Sequence, residues 1–555
     1  MKSCKESCQA IGIVSIFLLL GVTSSAQKTA QSWPTWSGDQ ERSGWAKTES
    51  AFSKENVSKI ELKWRLQLDT VPSAINYYDT LTDPVVAANV QTRQGPKTIL
   101  LVAGRTDNVY AVDVAAGKVL WQRSFPNTFK QPHPPFTSCP NDLNATPTID
   151  VEKNVAYVLN SDGRLRGLSL SDGEERIPPT DFVAPYARPW SLNFIDGVIY
   201  TPIARGCGGT NATFLGMDLN KPSRPTMRLS TSKGRPAGAW GRGGLVKGPQ
   251  GLYAQTADGP YDPGAGRFGN SVVAVTKDLQ LVDSFTPANE PWLNQKDLDM
   301  GSASPVVFTF QKWTLVAAAG KEGVVYLLDA NSLGGKDHRT PLFASPRFGN
   351  DAVTFGFNGV WGAVSSYEDA NGQRWVLVPM QGPVAKDAPK FEHTNGPVEN
   401  GSIMAFQVKV ENDKPVLVPA WVSRDLELPG MPLATNGGVI FALSTGERGR
   451  FAAAGRASKE GREAAAKLGA NAIGDTFQNW NAANKPGQGQ VQGEAAKKSE
   501  FSHGVVYGFD AATGKEIYSS GESLDSWDHN GGMAVADGRI FVTTWDARVY
   551  SFGLK

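Results

Sequence analysis

The chain has 555 residues and carries 55 basic against 54 acidic side chains, a formal net charge of +1. A balance this even gives no electrostatic case for a nucleic-acid partner or an anionic membrane surface. The 59 glycines and 35 prolines suit a protein of many short strands and turns.

Residues 1–26 read as a signal peptide. Lys2 and Lys5 give a positive start, Ile11 to Val22 an apolar run, and Ser24-Ser25-Ala26 a small-residue cleavage site. The run is short for a membrane span and no second long apolar run follows. No span is therefore expected after signal removal, with an uncleaved anchor as the competing reading. Cleavage near Ala26 predicts a periplasmic or secreted protein. Cys4 and Cys8 precede the apolar run, where a lipid-bearing cysteine would have to follow it. The mature chain keeps Cys139 and Cys207, and an oxidising compartment favours their pairing over two buried thiols. No Cys-x-x-Cys-His occurs, so no haem is expected.

Residues 27–60 form a polar, aromatic-rich lead-in containing WPTWSGDQERSGW. Leu62 to Leu68 alternates as a strand, and from there to residue 555 a four-strand pattern recurs. Its copies begin near Asp83, Ala145, Trp190, Ala239, Gly301, Gly359, Met431 and Gly531. The eighth copy has only three strands, and Leu62–Leu68 is the spare that would complete it. Short strands cannot bury their apolar faces alone, so neighbouring sheets must stack, and ring closure protects the end sheets. The expected fold is all-β: an eight-bladed β-propeller closed by the N-terminal strand in the C-terminal blade. A segment at 447–502 interrupts the seventh copy. ASKEGREAAAKLGA within it has the composition of a short helix and the remainder is polar, either a decoration or a cover for one face.

The fourth copy, from Ala239 to Val275, concentrates polar chemistry. It has a Trp-Gly-Arg-Gly entry, strands at Gly251–Thr256 and Ser271–Val275, and a Gly/Pro/Asp loop between them.

VYAVDVAAGKVLW at 109–121, VVYLLDANSLGGK at 324–336 and VVYGFDAATGKEIY at 505–518 resemble the PQQ-type propeller repeat. The lead-in and NVSKIELKW resemble the start of quinoprotein alcohol dehydrogenases, including the polyvinyl-alcohol dehydrogenase group. The likeness covers nearly the whole mature chain outside the insertion. It implies that outer-strand aromatics such as Trp121, with Tyr518 at the same place, pack between blades. It also implies a pyrroloquinoline quinone (PQQ) stacked on Trp240, with its carboxylates held by Arg267 and Arg242. Calcium would take oxygens from Asp258, in Asp-Gly-Pro, and Asn270, with Asp262 close by.

Three departures matter. The family's catalytic aspartate, in Arg-Pro-Gly-Asp, is replaced in Arg267-Phe268-Gly269-Asn270, and an amide cannot take up an alcohol proton. The vicinal cysteine pair survives at most as Cys139. The calcium-binding glutamate has no counterpart, and Cys207 falls near its place. Asp299, in Asp297-Leu298-Asp299-Met300-Gly301, is then the first candidate base and His529 the second. The resemblance implies a PQQ- and calcium-dependent oxidation of an alcohol or polyol, with electrons leaving to a separate carrier. The departures favour a second reading, a non-catalytic propeller with a protein partner, like the scaffold of outer-membrane protein assembly.

Overall fold

The computed structural model describes residues 31–72, 80–132, 139, 145–204, 206–231, 237–350, 358–447, 502–529 and 532–555. The expected signal peptide and the interior of the 447–502 insertion lie outside the described residues. No helix among the described residues is long and apolar enough to cross a membrane.

Among the described residues, eight sheets of four or more strands, each built on an antiparallel blade, follow one another round a ring. Blade 1 runs from Val85 to Ser124 and blade 2 from Thr148 to Asp181. Blade 3 spans Asn193–Ser230, blade 4 Val246–Phe285, blade 5 Val306–Ala344 and blade 6 Ser365–Val422. Blade 7 spans Leu433–Ser519, and blade 8 is built from Met533–Leu554 plus Ile60–Gln67. The N-terminal strand pairs antiparallel with the last one, Ile60 opposite Leu554 and Gln67 opposite Arg548. That pairing closes the ring as the spare strand predicts, starting two residues before Leu62.

The blades are held together by a repeated clasp. The outer-strand indole of Trp121 in blade 1 donates to Leu170 O at 2.7 Å and lies over Gly173 of blade 2. Trp421 of blade 6 donates to Ala511 O at 2.9 Å and covers Gly514 of blade 7. Trp64 of blade 8 donates to Val114 O at 2.8 Å and covers Gly117 of blade 1, so the clasp continues across the closure. In each case the carbonyl stands three residues before the glycine. A Cβ there would sit 2.3–2.6 Å from the indole, and φ is +63° to +71°. Glycine is thus required twice over, for the left-handed turn and for the ring that presses on it.

The lead-in threads the hub. Trp33 exchanges backbone bonds with Val86 of blade 1, and Pro34 O accepts from Ile149 of blade 2. Arg42, fully buried, donates to Leu192 O, Gly243 O, Trp36 O and Thr35 Oγ1. Ser43 O and Gly44 O accept from Ser366 and Ala434 of blades 6 and 7, and Glu49 accepts from Gly538 of blade 8. Because each blade has four antiparallel strands, the connectors between blades and the loops between second and third strands share one face of the ring. Cys139, Cys207, Trp240, Asp258, Asn270, Asp299, Glu447 and His529 all lie on such connectors or loops, so they belong to that face.

Candidate functional site

Blades 4 and 5 meet on this face around one buried ammonium. Two carboxylates reach it from the connector 286–305. The helix Glu290–Lys296 starts with Pro291 in its first turn and ends at Asp297, whose φ of 53° turns the chain out of the helix. Asp299 follows two residues on, 3% exposed. Lys321, in the second loop of blade 5, places Nζ 2.9 Å from Asp299 Oδ2, 3.2 Å from Asp297 Oδ1 and 3.1 Å from Asp297 O. An ammonium has three protons, and here each has an oxygen. Lys321 Nζ also lies 5.3 Å from the ring centre of Trp240 and 5.1 Å from that of Trp361. The two indoles meet edge to face, 5.0 Å apart and inclined 69°. Both are half-buried.

Burial sets the protonation behaviour. It lifts the Asp297 carboxyl to about 6, against the pull of Lys321 and with a further push from Asp299. Burial alone would lower Lys321, but the two carboxylates outweigh it and hold the ammonium above its usual range.

Asn270 stands at the back of this site and is fully buried. Its Oδ1 accepts from Met300 N at 2.9 Å, and its Nδ2 donates to Asn294 Oδ1 at 2.8 Å. Asn294 in turn accepts from Gly259 N and donates to Gly259 O, both at 2.9 Å, and also donates to Glu290. Asn270 has φ 46°, a left-handed conformation that asparagine tolerates better than most side chains. Its amide therefore pins the helix to the Asp258 loop, with Oδ1 turned to Met300 N and Nδ2 to Asn294. The carboxylates that do approach Asp258 are Asp297 and Asp299, with ligand oxygens within 4.8 Å of one another. Asp258 is exposed, and its N–H donates to Asp299 Oδ1 at 3.2 Å. Each Asp299 oxygen thus accepts a hydrogen bond from within the protein, one from the Asp258 amide and one from Lys321.

The remaining candidates are dispersed. Arg242 lies 4.3 Å from the ring centre of Trp190, with Arg188 at 4.4 Å from the same ring. Arg242 and Arg188 thus both lie over the Trp190 ring in the hub. Arg267 is half-buried in the hairpin Tyr261–Asp262/Arg267–Phe268. His529 Nδ1 meets Glu447 Oε2 at 2.9 Å in the blade 7–8 sector, across the ring from Lys321. Cys139 and Cys207 form a disulfide with Cα atoms 5.5 Å apart, linking the connector after blade 1 to a loop of blade 3. Sequence reasoning passed over Lys321, Asn294 and Trp361. The Gly320-Lys321-Glu322-Gly323 turn sits inside a repeat, where a lysine signals only solvent, and nothing local to it marks its burial.

A family model described as outer membrane protein assembly factor BamB matches residues 61–176, the closing strand and blades 1 and 2. Among curated protein sequences no relative matches. A europium-containing methanol dehydrogenase superposes with TM-score 0.56 and 11% identity, over 95% of this chain and 99% of its own. Quinohemoprotein alcohol dehydrogenase ADHIIG from Pseudomonas putida HK5 gives 0.54 and 14%, over 94% of this chain and 80% of its own. The quinohemoprotein alcohol dehydrogenase from Comamonas testosteroni gives 0.51 and 14%, over 95% and 81%. The chain is an eight-bladed propeller alike in fold to these dehydrogenases, and residues 61–176 match the assembly-factor model.

Proposed function

We propose that this protein is a periplasmic or secreted quinoprotein dehydrogenase of divergent type, binding PQQ where blades 4 and 5 meet and oxidising an alcohol or polyol. The observation that carries the reading is the half-buried face of Trp240 beside the Lys321 ammonium, a flat apolar surface next to a fixed cation. A planar, carboxylated quinone is complementary to that pair. When bound, the quinone supplies a hydride acceptor, which no side chain of the protein can.

The protein's own contribution is to hold and to move a proton. Lys321 fixes Asp297 and Asp299 in register. Asp297, lifted to about 6, is poised to take a proton from an alcohol near neutral pH, whereas the Asp299 oxygens are engaged by Lys321 and the Asp258 amide. Asp297 therefore replaces Asp299 as the preferred base. Its active form is the carboxylate, so the rate rises as pH passes upward through about 6. Electrons leave to a separate carrier.

The test is titration of the mature protein with PQQ, followed by tryptophan fluorescence and dye-linked alcohol oxidation. Quenching at micromolar quinone that Trp240→Ala abolishes is the expected result. No quenching in the wild type sinks the reading. It would then favour the non-catalytic propeller, which the assembly-factor match over residues 61–176 and the structural use of Asn270 support.

A further inference from the structure

We infer that Lys321 is the resident cation of this site, standing where a metal ion would have to sit between the three aspartates, so that the site works without a divalent ion. The inference concerns the cation alone and stands whether or not a quinone binds.

The separation of the Asp258, Asp297 and Asp299 oxygens, all within 4.8 Å, is one that a single cation could bridge. A cation already bridges two of them. The ammonium is 3% exposed and takes one oxygen from Asp299 and two from Asp297, one of them the main-chain carbonyl. A coordinated ion would draw on the same oxygens. It would also stand next to a like charge, which lies 5.3 Å from the ring centre of Trp240 and 5.1 Å from that of Trp361. Deprotonating Lys321 is no escape, since two carboxylates hold its proton. The nearby amide oxygens are turned to backbone amides of the scaffold. Asn270 Oδ1 is bonded to Met300 N and Asn294 Oδ1 to Gly259 N, both behind the carboxylates. The site thus keeps the charge balance of a metal centre with a tethered, non-exchangeable cation. A lysine ammonium is a compact point charge with freely directed donors, which suits it to that place better than a planar guanidinium.

Terbium luminescence excited through tryptophan tests this directly, because Trp240 and Trp361 would lie beside any ion bound there. The site-specific signal is defined as the part that Asp258→Asn removes, which discounts surface carboxylates. The wild type is expected to show none, and to hold no stoichiometric calcium after purification in calcium-containing buffer. Lys321→Met should gain the signal at one ion per chain and lose it again in the Lys321→Met/Asp258→Asn double variant. A stoichiometric, Asp258-dependent signal in the wild type overturns the inference. So does a folded Lys321→Met that binds no terbium. Should Lys321→Met fail to fold in buffer, it is refolded with and without calcium. Recovery of the folded protein only with calcium supports the inference, and failure in both overturns it.

Discussion

The joins between blades 1 and 2 and between blades 4 and 5 solve the same packing problem with opposite use of tryptophan. At the first join the Trp121 indole is flattened on Gly173 and its N–H is spent on Leu170 O. At the second, the outer strand Leu281–Phe285 has no tryptophan. Tyr253 instead donates to Ala330 O at 2.7 Å, a carbonyl placed like those the indoles use elsewhere. The indoles of this sector, Trp240 and Trp361, come from the connectors and are half-buried beside Lys321. The same residue type is mortar in one sector and only half-buried in the other. What separates the two is whether a glycine waits beneath the ring.

Four substitutions sharpen or break that contrast. Trp121→Ala removes a large buried ring and a buried hydrogen bond, and should cost about 3–5 kcal/mol in urea unfolding without touching quinone binding. Lys321→Met strips the counter-charge from buried Asp299 and half-buried Asp297, for a loss of about 3 kcal/mol at pH 7 by the same measurement. The sign of its pH dependence follows from Asp297. With its folded value already at about 6 against an ordinary 3.8, stability falls as pH rises through that window. Loss of the lysine lifts the carboxyl further, so the deficit of the variant should shrink as pH drops from 7 toward 4. Gly514→Ala pushes a methyl against Trp421 in a left-handed turn and should cost about 2 kcal/mol, read as a lower melting temperature. Trp240→Ala should be mildest in stability, about 1 kcal/mol, while abolishing the fluorescence response to quinone. If Trp240→Ala destabilised as much as Trp121→Ala, the distinction between mortar and surface would fail.

Much of the ring was legible because it is repetitive. The Gly-Lys turn, the alternating strand before it and the spare strand at Leu62–Leu68 are local patterns, and each recurs often enough to be checked against its copies. Two thirds of the clasps were nevertheless missed. Trp64 and Trp421 serve as Trp121 does, but no glycine turn precedes them in a copy as clean as 109–121, and their partners are 50 and 90 residues away. The site was legible only in its outline. Trp240, Asp258 and Asp299 sit on the expected face, yet Lys321 comes from the next blade and Asn294 from a helix that no apolar periodicity announces. Asn270 was read as a calcium ligand in the place of the family's aspartate because its position in a motif is visible while its partners are not. Only the fold shows that both ends of its amide serve the scaffold.

The closing strand has a consequence for how the molecule is made. Blade 8 needs Ile60–Gln67 and Arg548–Leu554 together, segments almost a full chain length apart. The hub is likewise tied at one end to Val86 and at the other to Gly538. Joining such distant segments is the slowest kind of contact to form, because the entropy of closing the intervening loop is lost before any contact repays it. Residues 31–67 must therefore stay available until the last strand has emerged from the ribosome. A chain cut short before Arg548 would carry an unpaired N-terminal strand and an uncovered apolar face of blade 1, both of which invite association with other chains.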